Sequence, residues 1–219
     1  MIRSAARALL CGLATLGLAQ APADQLPRPD YQRRPSDPAW LVEVVQFHGH
    51  LGPSVVAGAR MGMAGLLAVE AKGYFDVEVT CEGPFAKPPQ SCFLDGLQVA
   101  TGATLGKRTL HWVPADRIAL RVVNLRSGKT AELRPTAALV DLLASFKAQP
   151  KVAGAPRANH QGADEHLEAL ARKIAAMPEK EIVTVTITGQ AAPDREKVSG
   201  TFSGQTSPDT ARFSAGKGS

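Results

Sequence analysis

The chain contains few aromatic residues and few cysteines. Aromatic residues make up 5% of the 219 residues, hydrophobic residues in total make up 44%, and there are three cysteines. We therefore expect a core of Val, Leu, Ala and Ile side chains. A chain of this length can bury enough apolar surface to form one domain without disulfide bonds.

A strong charge of one sign is also missing. The formal net charge is +5, from 25 Lys and Arg against 20 Asp and Glu. Loss of an N-terminal segment with Arg3 and Arg7 would leave 23 basic against 20 acidic residues, a charge of +3. The sequence has no Lys/Arg cluster with interleaved aromatic residues, so nucleic acid is not expected as a partner.

The apolar run at residues 8–18 is too short to span a bilayer. Two arginines precede it, and Ala19-Gln20-Ala21 fits a cleavage site, so residues 1–21 are predicted to be a cleaved signal peptide. Cys11 lies inside the run, which argues against a lipoprotein signal; an uncleaved N-terminal anchor is the alternative. We expect an exported protein, periplasmic or secreted, without a stable membrane anchor.

Export would place the two remaining cysteines, Cys81 and Cys92, in an oxidising compartment. One interpretation is a disulfide between them, which would close a short loop and contribute about 2–3 kcal/mol. The other interpretation is a free thiol at Cys92 that takes part in a site. A count of free thiols separates the two.

Several motifs of common enzyme classes are missing. The sequence has no Gly-x-Ser-x-Gly and no His-Glu-x-x-His element, so a serine hydrolase and a zincin have no support. The segment Thr101–Lys107 resembles a phosphate loop, but its glycine spacing is one residue short. Arg108 also stands where a magnesium-binding Ser or Thr belongs.

The order of predicted elements indicates an α+β fold with a mixed, mostly antiparallel sheet, because helices and strands do not alternate regularly. Residues 22–36 are predicted to be an extended lead-in, 37–190 the domain, and 191–219 a disordered tail. Asp37-Pro38 is a typical helix start. Helices are predicted at 37–47, 53–72, 91–101, 135–146 and 164–177, and strands at 75–81, 109–113, 118–124, 130–133 and 181–189.

His48 and His50 are the first candidate site residues, separated by Gly49. In a turn or extended segment, side chains two residues apart point the same way, so both imidazoles can approach one ion. Imidazole is a ligand for zinc, iron, copper and nickel. The alternative is that one histidine caps a carbonyl group and the other faces water.

Cys92 and Asp95 are the second candidate pair, and both are also candidate catalytic residues. With Ser91 as N-cap, Cys92 occupies the first helical position, where the helix dipole is expected to lower the thiol pKa. Asp95 lies three residues on and can orient a histidine ring or accept a proton. Ser91 and Lys107 are candidate contacts for a bound ligand in the same cleft.

Four motifs follow one another within residues 40–145: Phe47–Pro53, Arg60-Met61-Gly62, Ser91–Gln98 and Thr101–Lys107. In this order, their combination resembles the FmdE family, which is named after a component of formylmethanofuran dehydrogenase. The resemblance implies an α+β core, often dimeric, with a histidine- and cysteine-lined cleft that can hold zinc. By position, the resemblance implicates His48, His50, Cys92 and Asp95.

The sequence departs from the family at two places. Many members have a cysteine where this chain has Gly52, and many carry a C-terminal cysteine-rich zinc finger that is absent here. We expect an exported member of the family with an accessory or redox-related role. It is expected to bind a transition metal, with zinc as the first candidate. Whether it is also a catalyst is left open. The alternative is a non-enzymatic module that binds a small anionic ligand where two helix N-termini converge.

Overall fold

The computed structural model describes residues 26–29, 31–147 and 165–189. The predicted signal peptide and C-terminal tail lie outside these residues, as does the linker after residue 147. In the described part, no helix is long and apolar enough to cross a membrane. Residues 26–29 and 31–34 contain no helix or strand, as predicted for this part of the lead-in.

The elements form the predicted α+β fold with a five-stranded sheet. In chain order they are α1 Trp40–His48, α2 Pro53–Val69, β1 Val77–Gly83, α3 Cys92–Thr101, β2 Leu110–Pro114, β3 Ala119–Asn124, β4 Thr130–Pro135, α4 Ala137–Lys147, α5 Glu165–Ala176, α6 Glu179–Ile182 and β5 Val183–Gly189. The strand order is β2-β1-β3-β4-β5. Only β1 and β2 pair in parallel within this sheet, and α3 connects them; the other pairs are antiparallel.

Helix α2 lies at the centre of the domain, where it contacts α3, α5 and the sheet. Glycines of α2 and α3 allow these two helices to pack closely. A Cβ atom at Gly58 would lie 2.0 Å from the Phe93 carbonyl oxygen, and one at Gly96 would lie 1.9 Å from the Val55 carbonyl oxygen. The backbones of α2 and α3 therefore touch directly, which no larger residue at Gly58 or Gly96 would permit.

Three local predictions need correction. Helix α1 begins at Trp40 rather than at Pro38, because the Asp37 carboxylate does not cap it. That buried carboxylate instead accepts hydrogen bonds from Arg34 N–H, the Tyr31 hydroxyl and Arg172 Nε. Strand β1 begins at Val77, two residues later than predicted, and Phe75 is exposed outside it. The short helix α6 was not predicted.

Candidate functional site

A histidine and a carboxylate from two helices form the centre of the candidate site. His48 is the last residue of α1, and Asp95 lies in the first turn of α3. His48 Nδ1 lies 2.7 Å from Asp95 Oδ2, and the His48 side chain is 8% exposed. Gln98 Nε2 donates to the other carboxylate oxygen at 3.5 Å. The carboxylate thus fixes the His48 ring and places its proton on Nδ1.

The second nitrogen of His48 is the unusual atom of the site. His48 Nε2 is buried and has no hydrogen-bond partner among the described residues. In this part of the protein, only Arg60 Nε shares that condition. With the proton on Nδ1, Nε2 carries a lone pair directed away from Asp95. Buried polar atoms normally have a partner, so this lone pair is suited to a ligand.

His50 stands next to His48, as the His-x-His spacing predicted. The two ring centroids are 4.6 Å apart and the ring planes are tilted by 40°. Gly52 lies beside them: a Cβ atom there would be 3.1 Å from His50 Nε2. Position 52, where the resemblance implied a cysteine, therefore faces His50 in this chain.

Cys92 occupies the first position of α3, as predicted, but its thiol behaves differently from the prediction. Burial of the half-buried side chain raises the pKa of Cys92, and the nearby Asp95 charge raises it further. These two effects outweigh a backbone hydrogen bond that lowers it, so the pKa is raised and not lowered as expected. The protonated thiol is therefore favoured at neutral pH.

The two cysteines are free thiols in the structure. Cys81 lies in the middle of β1, where its neighbours across the sheet are Trp112 and Leu120. It is fully buried, and this burial raises the pKa of its thiol. The structure therefore favours the interpretation without a Cys81–Cys92 disulfide.

The structure places Ser91 at the N-terminal end of α3 and Lys107 at its C-terminal end. Ser91 precedes α3 as predicted, but its hydroxyl makes no capping hydrogen bond and its backbone is helical. Lys107 Nζ donates to the Gly102 carbonyl group at the C-terminal end of α3. It also lies 5.1 Å from the Phe75 ring centroid. Because α3 has 10 residues, this end of the helix lies about 15 Å from the N-terminal end that begins with Cys92.

The structure thus brings together His48, His50 and Asp95. In the described ranges, no group of three or more His, Cys, Asp or Glu side chains is arranged to hold a metal ion. A complete ligand set of His48, His50 and Cys92 therefore stays a prediction. Asp95 supports the site by orienting His48, which is one of the roles that the sequence suggested.

Helices α2 and α3 run in the same direction beside this site. Gly58 of α2 faces Phe93 near the start of α3, and Gly62 faces Ala100 near its end. Their N-terminal ends therefore lie at the same side of the domain, as the anion-binding alternative requires. Next to them is a cavity of about 430 Å³ that the sequence did not reveal.

Comparison with known proteins supports the resemblance to a family. The family model described as FmdE, Molybdenum formylmethanofuran dehydrogenase operon, matches residues 47–184, which is more than half of the chain. A "Probable S-adenosyl-L-methionine-binding protein" of Archaeoglobus fulgidus is 33% identical over 92 residues. The aligned part is 41% of this chain and 24% of that relative, so the chain spans about a quarter of the relative's length.

A crystal structure of a tungsten formylmethanofuran dehydrogenase FmdE-like protein from Syntrophus aciditrophicus is also similar. It is 16% identical, with a TM-score of 0.43, and the likeness covers 68% of this chain and 70% of that one. A likeness at this level supports no conclusion about function.

Proposed function

This chain belongs to the FmdE family, and we propose that it is an exported FmdE-domain protein that binds a transition metal through His48, His50 and Cys92. Zinc is the first candidate for this metal. The observation that carries the proposal is the buried, unpartnered Nε2 of His48, whose ring is oriented by Asp95. Metal-binding histidines commonly donate their other ring N–H to a carboxylate. Imidazole and thiolate are ligands that zinc prefers.

The residues of the site have different tasks in this proposal. Asp95 holds the Nδ1 proton of His48 and thereby directs Nε2 toward the ligand position. His50 supplies a second imidazole at 4.6 Å between ring centroids. Cys92 must lose its proton to become a ligand, so metal affinity is expected to rise with pH. A bound zinc ion would supply Lewis acidity.

We assign the protein an accessory or redox-related role outside the cytoplasm. Export is supported by the two N-terminal arginines, the apolar run at residues 8–18 and the Ala19-Gln20-Ala21 site. N-terminal sequencing of protein from the exported fraction tests this part, and the mature chain is expected to begin at Pro22. An N-terminus at Met1 on membrane-bound protein would support the uncleaved anchor instead.

The metal site is tested by elemental analysis and calorimetric titration. Mature protein is purified without chelator or a nickel column, analysed for metals, stripped, and titrated with zinc. Wild type and His111→Ala are expected to bind one zinc per chain, since His111 lies on β2 beside Glu78. His48→Ala and Cys92→Ala are expected to lose binding while their circular dichroism spectra stay unchanged. Equal zinc binding by His48→Ala and His111→Ala would contradict the proposal.

A second candidate function is a non-enzymatic module that binds a small anionic ligand at the N-termini of α2 and α3. It is supported by the shared direction of these helices, because helix N-termini attract anions. The name of the Archaeoglobus fulgidus relative points to S-adenosyl-L-methionine, whose carboxylate is the group that helix N-termini would attract, although its ammonium and sulfonium groups give the molecule a net positive charge. Saturable binding of S-adenosyl-L-methionine to metal-free protein would favour this function over the first.

A further inference from the structure

The cavity of about 430 Å³ is separate from the histidine site. Its walls come from the start of α2, the β1–α3 loop, the start of α3, the β2–β3 loop, the end of β4 and one side of α4. The lining residues include Ser54, Phe85, Phe93, Arg117, Arg134 and Val140. None of His48, His50, Cys92 and Asp95 lines it. Its volume falls in the range of small-molecule sites.

One part of the cavity is apolar and contains aromatic rings. Phe85 and Phe93 stack with ring centroids 5.0 Å apart and ring planes within 9° of parallel. Both are almost fully buried. Val140 and Leu143 of α4 also line the cavity, and Val140 is 46% exposed although it is apolar. An aromatic or aliphatic body placed here would cover the Val140 surface on α4 that otherwise meets water.

Another part of the cavity is positively charged. Arg117 lies in the β2–β3 loop and Arg134 near the end of β4. The β3–β4 register, in which Leu120 pairs with Leu133, brings these two chain segments side by side. Among the described residues, neither arginine side chain makes an ion pair or a hydrogen bond. Among the described residues that line the cavity, Asp116 is the single acidic one, so these residues together carry an excess of one positive charge.

The neighbouring helices add to this positive character. Ser54 and Phe93, the second residues of α2 and α3, both line the cavity. The N-terminal end of a helix carries a partial positive charge. An anionic group in the cavity would meet the Arg117 and Arg134 guanidinium groups and lie near two helix N-termini, while its apolar part would lie against the apolar wall.

We propose that this cavity binds a small organic anion with an aromatic or other apolar body and one carboxylate, sulfonate or phosphate group. The anionic group is bound by Arg117 and Arg134, and the body packs against Phe85, Phe93 and α4. The inference rests on the second candidate function, whose ligand class it narrows, and it is independent of the metal site.

The probe for the test is 8-anilinonaphthalene-1-sulfonate, which joins an aromatic body to one sulfonate. Fluorescence titration of the mature, folded protein is expected to show one saturable site per chain. Arg117→Gln and Arg134→Gln should each weaken binding at least about fivefold, because charge-assisted hydrogen bonds are stronger than neutral ones. Arg121→Gln is the matched control: Arg121 is exposed on β3 and outside the cavity, and its loss should leave affinity unchanged.

Two further measurements separate the contribution of the arginine charges to binding from that of the space in the cavity. The uncharged probe N-phenyl-1-naphthylamine should bind the Arg117→Gln/Arg134→Gln double variant as well as wild type. Ala144→Trp, at an exposed position on α4 that lines the cavity, should abolish binding of both probes by filling the space. Undiminished sulfonate affinity in the double variant, or unchanged stoichiometry in Ala144→Trp with a native circular dichroism spectrum, would overturn the proposal.

Zinc binding is measured in the same variants, so that a failure of the metal-site proposal can be told from a failure of the anion-cavity proposal. His48→Ala should keep sulfonate binding, and the double arginine variant should keep zinc binding. Loss of sulfonate binding in His48→Ala would contradict an independent cavity. If S-adenosyl-L-methionine does not bind but sulfonate binding depends on the two arginines, S-adenosyl-L-methionine is excluded as the ligand and the anion cavity is supported.

Discussion

His48 Nδ1 and Asp95 Oδ2 are 2.7 Å apart although 47 residues separate them in the chain. The contact joins the C-terminal end of α1 to the first turn of α3. It leaves His48 Nε2 as a buried atom without a partner in the described part of the protein. A purely structural histidine would gain stability from bonding both nitrogens, so the arrangement favours a ligand at Nε2.

Asp95→Ala tests the orienting role of the carboxylate. Without it, the His48 ring can rotate and change tautomer, and we expect zinc affinity to fall about 10- to 100-fold. Calorimetric titration of zinc into stripped protein measures this. Asp141→Asn, which removes an exposed carboxylate on α4, should leave the affinity unchanged. If Asp95→Ala and wild type have the same affinity, Asp95 has only a structural role.

The raised pKa of Cys92 predicts slow alkylation of the metal-free protein. Burial and then the Asp95 charge raise this pKa above its ordinary value, and only the thiolate reacts with iodoacetamide. The rate at Cys92, followed by peptide mass mapping, should therefore rise with pH at a midpoint above about 8.5, the value for an unperturbed cysteine. Asp95→Asn removes one cause of the shift and should move the midpoint down. If the alkylation midpoint of Cys92 in the wild-type protein lies below that of free cysteine, the raised pKa of this thiol is contradicted.

Asp37 predicts how stability depends on acid pH. Burial tends to raise its pKa, but hydrogen bonds from Arg34, Arg172 and Tyr31 and the Arg172 charge together lower it. Because the folded pKa lies below the unfolded value, the stabilisation is complete above the unfolded pKa of about 3.9. It is lost as pH falls through the folded pKa.

The variant Asp37→Asn should therefore be less stable than wild type at pH 7, by about 3 kcal/mol, because Arg172 is left buried without its main partner. Urea unfolding at pH 7 and at pH 3 measures the difference, which should narrow at the lower pH. Asp141→Asn again serves as the exposed control. A difference that stays constant across this range would show that ionisation of Asp37 is not its cause.

The sequence predicted the parts of the fold that local patterns determine. Pro53 and the three- and four-residue apolar spacing after it correctly gave the start and length of α2 to within three residues. The alternation of Val183 and Val185 with threonines correctly gave β5 as a strand. The histidine pair followed from its spacing, since Gly49 adopts a left-handed conformation that ends α1 and turns the chain toward His50.

Long-range contacts explain what the sequence did not predict. Asp37-Pro38 looks like a helix start, but Arg172, 135 residues away, binds the carboxylate. The lowered pKa expected for Cys92 considered only the helix dipole and left out burial. Arg117 and Arg134 resemble ordinary exposed residues until the β3–β4 pairing places their segments together. No local pattern reports such contacts.

Gly96→Ala tests the backbone contact that positions the start of α3. A methyl group there would meet the Val55 carbonyl oxygen at 1.9 Å and the Ala59 nitrogen at 2.6 Å, both backbone atoms that cannot rotate away. We expect the free energy of unfolding to fall by at least about 2 kcal/mol, measured by urea denaturation. Gly106→Ala, where the nearest atom is 4.0 Å away, should change stability little. Similar effects of both substitutions would mean that α2 and α3 can separate at low cost.

Gly52→Cys is expected to strengthen the metal site. The backbone at Gly52 is extended, with φ −123° and ψ 153°, so any L residue fits it. A Cβ atom there would lie 3.1 Å from His50 Nε2, which requires only a small shift of the ring. The added thiol would stand beside His50, whose ring centroid is 4.6 Å from that of His48, and zinc favours such mixed ligands. We expect zinc affinity, measured by competition with a chromophoric chelator, to rise at least about tenfold, equivalent to about 1.4 kcal/mol.

Control variants and a cobalt spectrum test whether the added thiol causes the increase in zinc affinity. Ser54→Cys adds the same thiol two residues further on, where the side chain lines the separate cavity, and it should leave zinc affinity unchanged. Cobalt-loaded Gly52→Cys should show a stronger thiolate-to-metal charge-transfer band than cobalt-loaded wild type. In a His48→Ala background the gain should vanish, because a thiol and one imidazole hold the ion weakly without the histidine that Asp95 orients. A gain that persists without His48 would place the ion elsewhere and contradict the proposed site.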